Sequence, residues 1–197
     1  VGRLDLQPDH PAGPSAQVRY FAADPSVRGR GVAHALLADL EAMFRMRAEE
    51  KGLWLEVHHA PDLPGCLYTD AGKVRQIYLN MLSNAVKFTQ HGRVRIDVTA
   101  DPLPEPAHPS GRPAVQVAIR VSDTGHGIAA EEMERVFEPF EQTHSGQRHG
   151  GGTGLGMAIS RQLARLLGGD LVAHSLPGHG STFAFTFPAP LVSADGQ

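Results

Sequence analysis

A single cysteine, Cys66, stands among 197 residues, so the chain has no internal disulfide framework and suits a reducing compartment. No apolar run reaches the roughly 18 residues that cross a bilayer, and Val1-Gly2-Arg3-Leu4-Asp5-Leu6 does not have the form of a signal peptide. Neither sign of charge dominates: 18 Lys and Arg against 21 Asp and Glu leave a net charge of −3. The basic residues are scattered, which removes the electrostatic case for binding nucleic acid. No G-K-[ST] occurs, so a Walker phosphate loop is excluded. There are no internal repeats. What remains is a soluble, globular composition, 41% hydrophobic and 20% charged, long enough for one domain with appendages. The first residue is Val1 rather than Met, and the chain reads as a fragment of a longer polypeptide.

Periodicity places the elements. Residues 7–31 mix Pro, Gly, Ala and charge without a period and read as a lead-in. Leu36, Leu37, Leu40, Met43, Phe44 and Ala48 share one helical stripe, closed by Gly52. A strand is expected at 53–58. Asp70 then caps a long helix carrying Val74, Ile77, Tyr78, Met81, Leu82, Ala85 and Val86. Residues 93–99 and 115–121 alternate as strands, joined by a surface loop with five prolines between Asp101 and Pro113. A short acidic helix at 131–137, a mobile polar segment at 141–153, a helix at 155–167, and strands at 171–174 and 182–187 complete the pattern. Pro188-Ala189-Pro190 and the polar tail read as a linker. These elements predict a two-layer α/β sandwich, a mixed sheet covered on one face by helices, with the chemistry on the helical side.

Four boxes carry that chemistry. Asn80, Asn84 and Lys87 lie at i, i+4 and i+7, giving one helix face two amides and a cation. A carboxamide oxygen suits Mg²⁺ and an ammonium suits phosphate, although a plain solvent face has the same spacing. Asp123 follows a strand and precedes Gly125 and Gly127; there a carboxylate can accept from an exocyclic amine while the glycines admit a flat base. The same stretch from Gly125 to Ala130 satisfies the dinucleotide pattern G-x-G-x-x-A. The acid that pattern needs about 20 residues later falls in the polar run 141–153, which argues against it. Gly150-Gly151-Gly152-Thr153-Gly154-Leu155-Gly156 runs straight into a helix, a natural anion cradle. Gly178-His179-Gly180-Ser181-Thr182-Phe183 forms the fourth box.

Together these boxes resemble the catalytic ATP-binding domain of sensor histidine kinases, in the Bergerat-fold superfamily of ATPases. The likeness divides the chain into a lead-in at 1–31 that follows a missing acceptor helix, a catalytic domain at 32–188 and a C-terminal linker at 189–197. It implies ATP and Mg²⁺ as ligands and assigns roles by position. Asn84 would ligate Mg²⁺, with Asn80 assisting in metal binding and catalysis. Lys87 would touch phosphate and Asp123 the adenine amino group. Gly125, Gly127 and Ile128 would shape the base pocket and the start of a lid over 129–150, anchored by Phe137 and Phe140. Arg148, Gly152, Thr153, Gly154, Leu155 and Gly156 would surround the phosphates, and Thr182 would complete the site. His126 departs from the family, which has a small apolar residue there, and 8–31 is longer than the usual lead-in.

Related ATPases hold a glutamate as general base where this chain has Asn80. A neutral amide cannot take a proton from water, so Asn80 argues for a kinase that holds ATP until an imidazole attacks. None of the eleven histidines is followed by an acid, as the family's acceptor is. The expected function is therefore the ATP-donating half of a two-component sensor kinase, a protein-histidine kinase whose acceptor histidine lies outside this chain. The alternative is a nucleotide-binding regulatory module of a degenerate kinase. The implied partners are a dimerisation and phosphoacceptor domain of the same protein and a response-regulator receiver, in the same polypeptide or a separate one. The parent is expected to be a homodimer and the fragment a monomer, cytoplasmic even where the parent is membrane-anchored. The stretch Glu138-Pro139-Phe140-Glu141-Gln142 and the Pro-Ala linker resemble hybrid kinases, which carry such a receiver.

Overall fold

A computed structural model of the chain describes residues 32–104, 111–141 and 154–192. The expected lead-in, most of the mobile segment and the end of the tail lie outside the described residues.

Helix α1 (Val32–Glu50) buries Leu37, Leu40, Phe44 and Ala48 along one stripe, with Met43 packed beside them. Strand β1 (Trp54–His59) follows. Helix α2 (Ala71–Phe88) begins where Asp70 Oδ1 accepts the Lys73 N–H at 3.1 Å, a cap that contributes about 1 kcal/mol. Its buried residues are Val74, Ile77, Tyr78, Met81, Leu82, Ala85 and Val86, the stripe the sequence predicts. Burying a side chain such as Ile77 or Leu82 contributes roughly 1.5–3 kcal/mol.

Strands β2 (Arg93–Pro102) and β3 (Ala114–Asp123) form a hairpin. Helix α3 (Ala130–Met133) passes into a 3₁₀ turn (Glu134–Phe137). Helix α4 (Gly156–Leu166), β4 (Asp170–Leu176) and β5 (Gly180–Pro190) complete the chain. The sheet order is β1-β2-β3-β5-β4. β1 runs parallel to β2, and the other pairings are antiparallel. Val94, Ile96, Val98, Val117, Ile119, Val121, Phe183, Phe185 and Phe187 alternate inward and are buried. Helix α2 meets both α1 and α4, and the three helices cover this face. The opposite face is polar, with Arg95 chelating Asp97 through contacts of 2.7–3.1 Å. The mixed sheet under one helical layer is the expected sandwich.

Three boundaries differ from expectation. The acidic helix at 131–137 is one turn of α-helix followed by 3₁₀, and none of its residues is buried. With no buried stripe, nothing rewards a longer regular helix. The Pro-rich loop is shorter than drawn, because β2 reaches Pro102 and β3 starts at Ala114. The last strand runs through Pro188-Ala189-Pro190, so the domain does not end at 188 and the linker does not begin at 189. Ala189 is fully buried opposite Val115. Pro190 presents its carbonyl to Tyr68 N at 2.9 Å, away from β3. The N–H that proline lacks would point off that side, so the ladder to β3 loses nothing.

Candidate functional site

Between α2, the end of β3, the start of α4 and β5 lies a cavity of about 380 Å³, a size that suits a small-molecule ligand. Asn80, Asn84, Lys87, Asp123, Gly127, Ile128, Gly154 and Gly156 line it, so residues spread over 77 positions of sequence converge on one space.

Asp123 is the last residue of β3, and its Oδ1 accepts the Gly125 N–H at 2.8 Å. Burial pushes its carboxyl above the ordinary range, while N–H groups of Gly125 and Ser181 and the nearby His126 ring pull it back. Gly125 must be glycine because a Cβ there would lie 2.5 Å from the Phe88 carbonyl oxygen. Gly127 has φ 72°, and a Cβ would lie 2.2 Å from the Leu176 oxygen. The chain can thus turn tightly between α2 and the β4–β5 hairpin. His126 lines the cavity, with its ring edge-on to Phe88 at 5.6 Å. Its Nδ1 lies 2.6 Å from the Gly127 carbonyl, which can only accept, so Nδ1 carries the proton. The departure from the family pattern therefore places a polar ring in this corner.

On α2, Asn80 Nδ2 donates to the Gly156 carbonyl at 3.1 Å and to Ser160 Oγ at 2.8 Å. Its Oδ1 accepts from Gln76 at 3.2 Å. Asn80 thereby ties α2 to the first turn of α4. The Lys87 ammonium sits 5.1 Å from the centre of the Phe88 ring.

Other expected residues fall elsewhere. Thr182 is on the far side of the sheet, its hydroxyl 2.9 Å from Ser122. Strand alternation puts its neighbours Ser181 and Phe183 on the cavity wall instead. Phe137 packs edge-on against Phe183 at 6.4 Å, beneath Arg161 at 4.7 Å, and so supports the wall from behind. Phe140 is 75% exposed, with φ 65°; its N–H donates to the Gly154 carbonyl at 3.2 Å. The next residue, Glu141, reaches the cavity and is paired with Arg135. Leu155 stands at the N-cap position of α4 with no side-chain capping bond. Arg148, Gly152 and Thr153 lie outside the described residues. Sequence reasoning missed Ser83, Phe88, Val136, Glu141, Met157, Ser181 and Phe183 as cavity residues. For Ser181 and Phe183 the signal existed: the inward Phe185 and Phe187 fix the parity of the strand.

The fold and the cavity define an ATP-binding domain of the Bergerat type. A family model described as "Histidine kinase-, DNA gyrase B-, and HSP90-like ATPase" matches residues 69–191, and the chain belongs to that family. It is similar to "Aerobic respiration control sensor protein ArcB" of Escherichia coli (strain K12), 38% identical over 82% of this chain and 20% of that protein. It also resembles "Autoinducer 2 sensor kinase/phosphatase LuxQ" of Vibrio vulnificus (strain YJ016), 37% identical over 77% of this chain and 17% of that protein. Among solved structures, "Crystal structure of ShkA full-length in complex with AMPPNP" superposes with a TM-score of 0.69 and 30% identity over 91% of this chain and 33% of that one. The chain thus spans about a fifth of the curated relatives it matches, and within the family it is the catalytic ATP-binding domain of the histidine-kinase type. A second family model, "Acetyltransferase (GNAT) family", matches residues 1–66, a third of the chain. Of that stretch residues 32–66 are described; α1 packs against α2, and β1 joins the sheet beside β2.

Proposed function

We propose that the cavity binds Mg²⁺-ATP and that the chain donates the γ-phosphate to a histidine on a dimerisation domain outside it. The observation that carries the reading is the convergence in one cavity of a half-buried carboxylate, Asp123, with the amides and ammonium of α2. Asp123 accepts from the adenine amino group. Gly125, Gly127 and Ile128 let the base lie against backbone. Gly154 and Gly156 stand at the N-terminus of α4, where free N–H groups and the helix dipole favour phosphate, and Lys87 adds a point charge. The bound AMPPNP of the ShkA structure supports a nucleotide in the corresponding fold.

The donor set fits Mg²⁺. Asn84 offers a neutral oxygen in the cavity, and the Asn80 oxygen already accepts from Gln76. Mg²⁺ keeps several waters and takes few protein ligands beside substrate phosphates, so one amide suffices. Asn84 would hold the ion, which when bound neutralises charge on the phosphates. Asn80, whose amide nitrogen is engaged with Gly156 and Ser160, positions α4 toward the phosphates and supplies no base. The parent is a homodimeric two-component sensor kinase that acts in the cytoplasm, with a response-regulator receiver as its downstream partner. A regulatory module without phosphotransfer has less support, because Asn84 and Asp123 both keep the chemistry that ATP requires.

Calorimetry with ATP and ADP in the presence of Mg²⁺ tests the site. Asp123→Asn and Asn84→Ala should each weaken binding about 10- to 150-fold, the equivalent of one charge-assisted contact of roughly 1.5–3 kcal/mol. Unchanged affinity in Asp123→Asn would remove the adenine assignment.

A further inference from the structure

Ser175 of β4 lies outside the boxes that carry the family likeness, yet its hydroxyl is saturated. It accepts the Ile128 N–H at 2.7 Å and donates to the Gly180 carbonyl at 2.8 Å. The Ser181 Oγ lies 2.9 Å away. A serine hydroxyl has one proton and two lone pairs. Its proton goes to Gly180, which can only accept, and one lone pair takes Ile128. The Ser181 hydroxyl must then donate to the other. Every hydrogen-bonding position of Ser175 is therefore assigned.

The three partners matter because of where they lead. Ser175 pairs with Ser181 across β4 and β5, and Ser181 pairs with Asp123 across β5 and β3. The Ser181 N–H donates to the Asp123 carboxylate. On the other side, Ile128 lines the cavity directly after the Gly127 turn. One hydroxyl thus joins the residue expected to face the amino edge of the base to the residue expected to lie along its plane. The Gly178 N–H, donating to the His126 carbonyl at 2.8 Å, docks the same hairpin onto the same turn.

We infer that Ser175 is a positioning residue for the purine base, holding Asp123 and the backbone at Ile128 at the separation that an adenine ring requires. This rests on the assignment of the cavity to an adenine nucleotide. Without the hydroxyl, the Ile128 N–H and the Ser181 hydroxyl lose their shared acceptor, and the two walls of the base pocket are free to drift apart. Phosphate contacts at α4 do not pass through Ser175, so inorganic triphosphate should be indifferent to it.

The test uses the 197-residue chain, with Mg²⁺-ATP, ADP and Mg²⁺-triphosphate binding measured by calorimetry and exchange of the Ile128 amide followed in parallel. Ser175→Ala should lower ATP and ADP affinity by roughly 5- to 30-fold, leave triphosphate affinity within a factor of two, and accelerate Ile128 exchange. Ser175→Thr, which keeps the hydroxyl, should recover most of the loss. A purely structural serine would lower the unfolding midpoint and leave the affinity of the folded fraction intact; that result overturns the inference. If Ser175→Ala does not fold, Ser175→Cys replaces it, and ATP affinity equal to that of the unmodified chain is then the overturning result. If the unmodified chain binds no ATP, the nucleotide assignment itself fails, together with the role inferred for Ser175. Fast Ile128 exchange in Ser175→Ala would still show the pin to be real.

Discussion

Asp123 is destabilised as an anion by its burial and partly rescued by the N–H groups of Gly125 and Ser181. Its folded-state pKa lies above the unfolded value of about 3.9, so the native state keeps a proton that the unfolded chain has already released. Stability then falls as pH rises from the unfolded value through the folded one. Asp70, Asp97 and Asp170 work in the opposite sense. Hydrogen bonds from Lys73, Arg95 and Arg161 hold their carboxyls below the usual range, and the stability they contribute is lost as pH drops through those low values. The two effects occupy different windows and can be separated. The urea midpoint of Asp123→Asn should gain on that of the parent chain as pH rises from 4 toward 7, while ATP affinity of the parent chain rises over the same interval because the base needs the anion. Parallel midpoint curves for the two proteins would show that Asp123 carries no such penalty.

At the scale of elements, α1, α2 and β1 are joined through one carboxylate. Glu41 of α1, only 7% exposed, accepts from the Tyr78 hydroxyl at 2.9 Å and contacts His59 Nε2 at 2.9 Å. Tyr78 precedes Asn80 by two residues, so this clamp fixes the helix that presents Asn80 and Asn84. Its hydrogen bond and charge hold the His59 pKa above its ordinary value despite partial burial, and burial beside Glu41 pushes the Tyr78 phenol far above its usual range. His59 therefore contributes stability fully below its unfolded pKa of about 6.5, and that stability is lost as pH climbs through the raised folded value. Thermal midpoints of the parent chain should fall between pH 6 and 8.5 by more than those of His59→Ala; equal slopes would dismiss the clamp as a pH-dependent contact. Tyr78→Phe removes a buried donor and should cost about 1–3 kcal/mol in denaturant unfolding. The α2 stripe and its Asp70 cap were legible because both follow from spacing within one helix. The Glu41–Tyr78–His59 contact was not: the sequence shows His58-His59 only as a pair, and the partner sits 18 positions away on α1, brought near because α1 folds back against β1. Ser175 and Glu141 were missed for the same reason, since Ser175 reaches Ile128, and Glu141 the cavity, through contacts that no local period encodes. Thr182 is expected at the site, but its side chain lies on the far face of the sheet, a parity that the Phe183, Phe185 and Phe187 alternation encodes.

For the molecule as a whole, the described residues of the cavity offer groups suited to a nucleotide and none suited to self-phosphorylation. Transfer to an imidazole needs a ring in line with the γ-phosphate and an acid beside it to take the proton. Among the described residues His126 is the cavity's only histidine; it sits in the turn between Asp123 and Ile128, with Nδ1 committed to the Gly127 carbonyl. Hydrolysis fares no better. Asn80 has no basic atom, and Glu141, the carboxylate that reaches the cavity beside Asp123, is paired with Arg135. A positioned general base supplies roughly 10²–10⁴-fold, so ATP should survive in this site long enough to await an external acceptor. Incubating the chain with γ-labelled ATP should leave it without acid-labile label, whereas adding the dimerisation and acceptor domain of the parent protein should place label on that domain alone. Acid-labile label on the isolated chain would mean that one of its own histidines attacks, and the division of labour between ATP-holding and phosphate-accepting domains would not hold for this protein.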